Sequence, residues 1–77
     1  MARSEDVARA ILDIFKSEHS MPRYVLPARI IVAVSEYMGW STDETVGGIE
    51  YGLDQGWFKN RPRMLLGLTD AGLDQIV

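Results

Sequence analysis

The chain has 77 residues and a net charge of −3, and 47% of its residues are hydrophobic. This length predicts one domain over 1–77 with a thin core, which a second copy could help to stabilise. The absence of cysteine excludes disulfides, and a single histidine leaves no Cys/His zinc site. Without a membrane-length apolar run or an N-terminal signal core, we expect a cytoplasmic protein with no membrane segment.

Two amphipathic helices are predicted in the first half of the chain. Apolar residues recur at helical spacing over 4–17, at Val7, Ile11, Ile14 and Phe15. A second helix is predicted from Pro27 to a stop at Gly39, although its β-branched residues leave a strand open. Residues 24–26 fit a short edge strand before it. The apolar face of the second helix is expected to hold Ile30, Ile31, Val34, Tyr37 and Met38.

The third helix has the sharpest local signature. Ser41 followed by Glu44 is a capping-box pattern, which predicts a helix from there to Gln55 with a stop at Gly56. Only Gly39 and Trp40 separate it from the second helix, as in a helix-turn-helix. We expect Val46, Ile49 and Leu53 to face inward. The positions expected to face outward are Glu44, Gly47 or Gly48, Tyr51 and Gln55.

A β-hairpin is predicted after the third helix. Residues 57–58 and 64–68 are the expected strands, and 59–63 is the expected turn, rich in residues that break regular structure. Thr69 or Asp70 is placed to cap a last helical turn through 74–77. The predicted fold class is therefore mainly α with a small β-hairpin, that is α+β.

The order helix, helix, tight turn, helix, hairpin resembles the winged helix-turn-helix family. Two stretches carry the likeness: LDQGWF at 53–58 resembles that family's passage from recognition helix to wing, and LGLTDAG at 66–72 resembles its strand-end pattern. The resemblance implies a single three-helix winged helix-turn-helix domain. The alternative is a small three-helix domain with a hairpin of another topology.

Family members often bind DNA through the third helix and the wing, so the resemblance implies a DNA-binding or transcription-regulatory protein with double-stranded DNA as a partner. The expected phosphate contacts are Lys59, Arg61 and Arg63 in the wing, and the direction of Arg23 and Arg29 stays open. The segment 41–56 holds four acidic residues and no lysine or arginine. Its expected DNA contacts are therefore polar, namely Thr45, Tyr51 and Gln55.

A second function stays open, namely a protein-protein module or homodimer without DNA binding. Glycines inside a helix are costly, and close approach of an internal helix or of a partner would explain them. The candidate interface residues are Glu44, Gly48, Tyr51 and Gly52. We expect no enzyme, cofactor, metal or small-molecule substrate, because the lone His19 has no catalytic partner motif. Trp40 and Trp57 are expected to anchor the core.

Overall fold

The structure is a computed structural model that describes residues 3–17 and 25–76. This part of the chain is mainly helical with a small antiparallel sheet, as the predicted α+β class requires. The predictions made for His19, Arg23, Tyr24 and Val77 lie outside the described residues. The elements are α1 (Ser4–Ser17), β1 (Val25–Pro27), α2 (Ala28–Met38), α3 (Thr42–Asp54), β2 (Phe58–Arg61), β3 (Leu65–Leu68) and α4 (Asp70–Ile76).

The sheet has three strands in the order β1-β3-β2, so β1 adds to the predicted hairpin as an edge strand. Leu26 lies opposite Leu66, and Lys59 lies opposite Gly67. Pro27 ends β1 and is the N-cap of α2, so the prediction that it begins the helix is wrong by one residue. An edge strand tolerates proline, which has no N–H to give to a sheet.

The predicted helix ends are confirmed at three places. Gly39 ends α2 in the left-handed conformation at φ 77°, and Gly56 follows α3 at φ 79°. At the start of α3, the Glu44 N–H donates to Ser41 Oγ at 3.1 Å, and the Ser41 N–H donates to the Glu44 carboxylate at 2.8 Å. The capping box therefore fixes the tight turn between α2 and α3. The helix ends at Asp54, and Gln55 is its C-cap.

The core lies between α1, α3 and the inner face of the sheet. Phe15 of α1 stacks on Phe58 of β2 with ring centroids 5.8 Å apart. Trp57 is also buried. The Tyr51 and Trp57 rings pack edge to face with their centroids 5.7 Å apart, and the Arg9 guanidinium carbon lies 5.2 Å from the Trp57 ring centroid. Trp40 packs half-buried against this core. The fully or nearly fully buried apolar residues are Val7, Ala8, Ile11, Leu12, Phe15, Leu26, Ile31, Trp57, Phe58, Leu66 and Leu68.

The predicted inward faces of α2 and α3 are wrong in part. In α2, Tyr37 is 89% exposed and Met38 is 52% exposed, and Ser35 is buried instead. In α3, Ile49 and Leu53 pack against the core, but Val46 is 45% exposed. Gly48 of α3 faces α1, because the lack of a side chain allows the closer approach of the two helices.

The hairpin and the last helix differ from the prediction in their bounds. Residues 59–61 belong to β2 rather than to the turn, which is limited to 62–64, and Trp57 precedes the strand. The last helix is longer than predicted, and the Gly72 N–H donates to Thr69 Oγ1 at 3.0 Å as the predicted cap. None of the described helices is long and apolar enough to cross a membrane.

Candidate functional site

The glycine face of α3 is covered by the chain itself. A Cβ built on Gly48 would overlap the Val7 side chain and lie 3.2 Å from the Ala8 backbone nitrogen. A Cβ on Gly52 would overlap the Phe58 ring. The prediction that Gly48 points away from the core is therefore wrong, and neither glycine can belong to a partner interface. The close approach that these glycines allow is internal.

Thr45 does not lie where the predicted DNA contact requires it. It is 8% exposed, and its hydroxyl lies 2.8 Å from Ser35 Oγ and 3.0 Å from the Ser41 carbonyl oxygen. Ser35 Oγ in turn donates to the Ile31 carbonyl at 2.7 Å. The hydroxyl of Thr45 therefore joins α2 to α3 and does not face a phosphate.

We expect Thr45→Val to lower the free energy of unfolding by about 0.5–1.5 kcal/mol, because it removes one buried hydrogen bond while keeping the side-chain shape. The matched control is Thr42→Val at an exposed position of the same helix, expected to stay within about 0.5 kcal/mol. Urea unfolding followed by circular dichroism measures both. Equal effects at the two positions would mean that the bond between α2 and α3 carries no stability.

The other predicted residues of α3 remain near the surface. Gln55 is exposed, and Tyr51 is half-buried because its ring packs on Trp57. The Glu44 carboxylate is engaged in the capping box. Gln55 is thus the one member of the predicted third-helix contact set with an exposed side chain.

The face of α3 that points away from α1 is acidic. Asp43, Glu50 and Asp54 are all exposed, and their spacing places them on one side of the helix, opposite Gly48. Val46 lies beside this stripe with 45% of its surface exposed. This face of α3 therefore presents three carboxylates and no lysine or arginine to a binding partner.

The three cations of the hairpin are accessible. Lys59 and Arg63 are exposed and Arg61 is half-exposed. Phe58 points inward, between α3 and the sheet. Because side chains alternate along a strand, the aliphatic stems of Lys59 and Arg61 pack over Gly67 on the outer face of the sheet. Within residues 3–17 and 25–76, none of the three forms an ion pair.

An apolar groove, which we call the central groove, lies between α2, α3 and the hairpin. One part, of about 280 Å³, separates α2 from α3, and an adjoining part of about 310 Å³ separates both helices from the hairpin. The two parts share Ala28, Ile31 and Ile49. The exposed apolar side chains along the groove are Val32 at 54%, Val46 at 45% and Met64 at 79%.

The central groove has opposite charges at its two ends. At the hairpin end, Arg29 and Arg63 line an adjoining open depression next to Met64. At the far end, Glu36 lines the groove. Glu36 follows Ala28 by eight positions in α2, so the two residues are about 12 Å apart along that helix.

The hairpin turn is held against α2. The Ala28 N–H donates to the Met64 carbonyl oxygen at 3.0 Å. Arg63 at φ 65° and Met64 at φ 57° both adopt the left-handed conformation, which is unfavourable for side chains other than glycine. Strain of this kind occurs at functional sites more often than elsewhere. Sequence patterns do not identify Val32 and Met64, since an isolated exposed apolar residue has no periodic pattern.

No family model, no curated protein and no solved structure matches the chain.

Proposed function

We propose that the chain is a winged helix-turn-helix domain that binds protein through the central groove. The element order supports the fold, because α1, β1, α2, α3, β2 and β3 follow one another with a tight turn between α2 and α3. The strand order β1-β3-β2 agrees with a wing formed by β2 and β3. A fold alone does not fix a function, so the surface residues carry the rest of the proposal.

The observation that carries protein binding is the exposed apolar lining of the central groove. Val32, Val46 and Met64 together expose apolar surface from α2, α3 and the hairpin. Water around such a surface is released when another apolar surface covers it, which favours association. A DNA duplex offers phosphates and polar base edges, and so gains little from this lining.

The charge of α3 argues against its insertion into a DNA groove. In a winged helix that reads DNA, the outward face of α3 enters the major groove. Here that face presents Asp43, Glu50 and Asp54, each of which would meet phosphates of the same sign. Repulsion between unpaired like charges at an interface costs several kcal/mol.

Photo-crosslinking from the central groove tests the proposal. A benzophenone amino acid replaces Val32 on the groove or Asp13 on the exposed side of α1, and each chain is irradiated in its native cells. We expect protein adducts from position 32 and far fewer from position 13. Nucleic-acid adducts from position 32, or equal protein adducts from both positions, would contradict protein binding through the groove.

A second candidate function is weak binding of the DNA backbone through Lys59, Arg61 and Arg63. The observation that favours it is that these three side chains are accessible and unpaired within the described ranges. If only they contact phosphates, log affinity should fall with log salt with a slope of about −2.7. Fluorescence anisotropy of a labelled random-sequence duplex measures this slope. A slope near zero, or no binding at low salt, would remove the candidate.

A further inference from the structure

We propose that the protein bound in the central groove is a second copy of this chain, paired antiparallel through a two-fold axis. The inference rests on the proposed protein binding and names its partner. A two-fold interface requires a surface that is complementary to itself, since each copy contributes the same patch. The central groove meets this requirement in both its charge and its apolar surface.

The charges of the groove are complementary after a two-fold rotation. The hairpin end carries Arg29 and Arg63 in the adjoining depression, and the far end carries Glu36. Rotation about an axis through the middle of the groove brings the basic end of one copy onto the acidic end of the other, twice. Parallel pairing would place like charges together, so the charges also select the orientation.

The middle of the groove supplies the apolar contact. Val32 and Val46 flank it from the two helices, and Met64 lies at its hairpin end. The same side chains from the second copy would cover them. Interfaces commonly have such an apolar centre and a charged rim. A domain of this size has a thin core, so burial of this strip also contributes stability that one copy lacks.

The groove is already formed in the single chain. The hydrogen bond from Ala28 to the Met64 carbonyl holds the hairpin turn on α2, and the bond between Thr45 and Ser35 holds α3 on α2. The left-handed conformation of Met64 keeps its side chain exposed beside the groove. Little reorganisation is therefore needed on pairing, which favours association.

Sedimentation equilibrium of the full chain up to millimolar concentration tests the inference. We expect a monomer-dimer equilibrium that Val32→Glu weakens by more than about tenfold in Kd, whereas Tyr37→Glu, on α2 outside the groove, leaves it within about threefold. Met64→Gly should also weaken pairing without lowering the melting temperature, because glycine accepts the left-handed conformation. Circular dichroism confirms that each variant is folded.

Charge exchange tests the antiparallel orientation. Arg63→Glu and Glu36→Lys should each weaken pairing, and the two together in one chain should restore it, because each new charge then meets its opposite in the other copy. A chain that stays monomeric at millimolar concentration, or a dimer indifferent to Val32→Glu, overturns self-pairing. If that monomeric chain still gives adducts with a different protein from position 32, protein binding stands and only the choice of partner fails.

Discussion

Phe15→Ala is expected to lower the free energy of unfolding by about 3–5 kcal/mol, the largest effect of any change considered for this chain. Phe15 is 1% exposed and stacks on Phe58, whose ring also fills the space beside Gly52. The removed ring therefore leaves a cavity where α1, α3 and the hairpin meet. Total stability for a chain of this length is roughly 4–12 kcal/mol, so the loss is a large fraction of it and the midpoint of urea unfolding should fall markedly.

The control for this change is Asp13→Ala on the exposed side of the same helix, which should stay within about 0.5 kcal/mol of the parent. Urea unfolding followed by tryptophan fluorescence measures both variants, because Trp57 lies in the same core. A loss below about 1 kcal/mol for Phe15→Ala would contradict the packing of α1 on the hairpin.

Gly48→Ala should lower the free energy of unfolding by about 1–3 kcal/mol even though alanine is the better helix former. The new methyl group would overlap Val7 and approach the Ala8 backbone nitrogen, so α1 and α3 would have to move apart. Overpacking of this kind costs more than the gain in helix propensity.

The adjacent residue provides the matched control. A Cβ at Gly47 would meet only Ser4 Oγ, at 3.1 Å, and Ser4 is exposed and free to turn away. Gly47→Ala should therefore gain roughly 0.5–1 kcal/mol from helix propensity. Thermal unfolding of the two variants gives shifts of opposite sign. Shifts of the same sign would show that α1 does not cover Gly48 as described.

The ends of the helices could be predicted from the sequence because the signals there are local. Ser41 and Glu44 bond each other's backbone within one turn, and Gly39 and Gly56 supply left-handed conformations that few other residues adopt. Such features depend on neighbours in the chain and not on distant packing. The order of the elements follows from them.

The faces of the helices could not be predicted as well, because hydrophobicity alone does not identify a close approach. Val46 has the larger apolar side chain, yet Gly48 faces α1, since only a small residue lets the Ala8 backbone come so near. Tyr37 and Met38 are apolar and yet exposed at the end of α2. Apolar periodicity thus predicted the helices correctly but assigned some exposed residues to their buried faces.

The candidate site could not be predicted for the same reason, because it depends on which face of α3 is exposed. With Val46 assigned to the core, the exposed strip formed with Val32 and Met64 could not be seen in the sequence, because its members come from three separate elements. The cations of the hairpin were recognised, since Lys59, Arg61 and Arg63 are close together in the chain. Their relation to Glu36 at the other end of the groove requires the tertiary structure.

If the central groove binds protein and α3 does not read DNA, the outward face of α3 should not respond to a DNA duplex. The most direct test is an NMR titration of the isotope-labelled chain with a short random-sequence duplex at low salt. We expect no amide shifts at Val46, Glu50 and Asp54, with any response confined to 59–63. Saturable, salt-sensitive shifts along Glu50 and Asp54 would contradict it and would place α3 in a DNA groove.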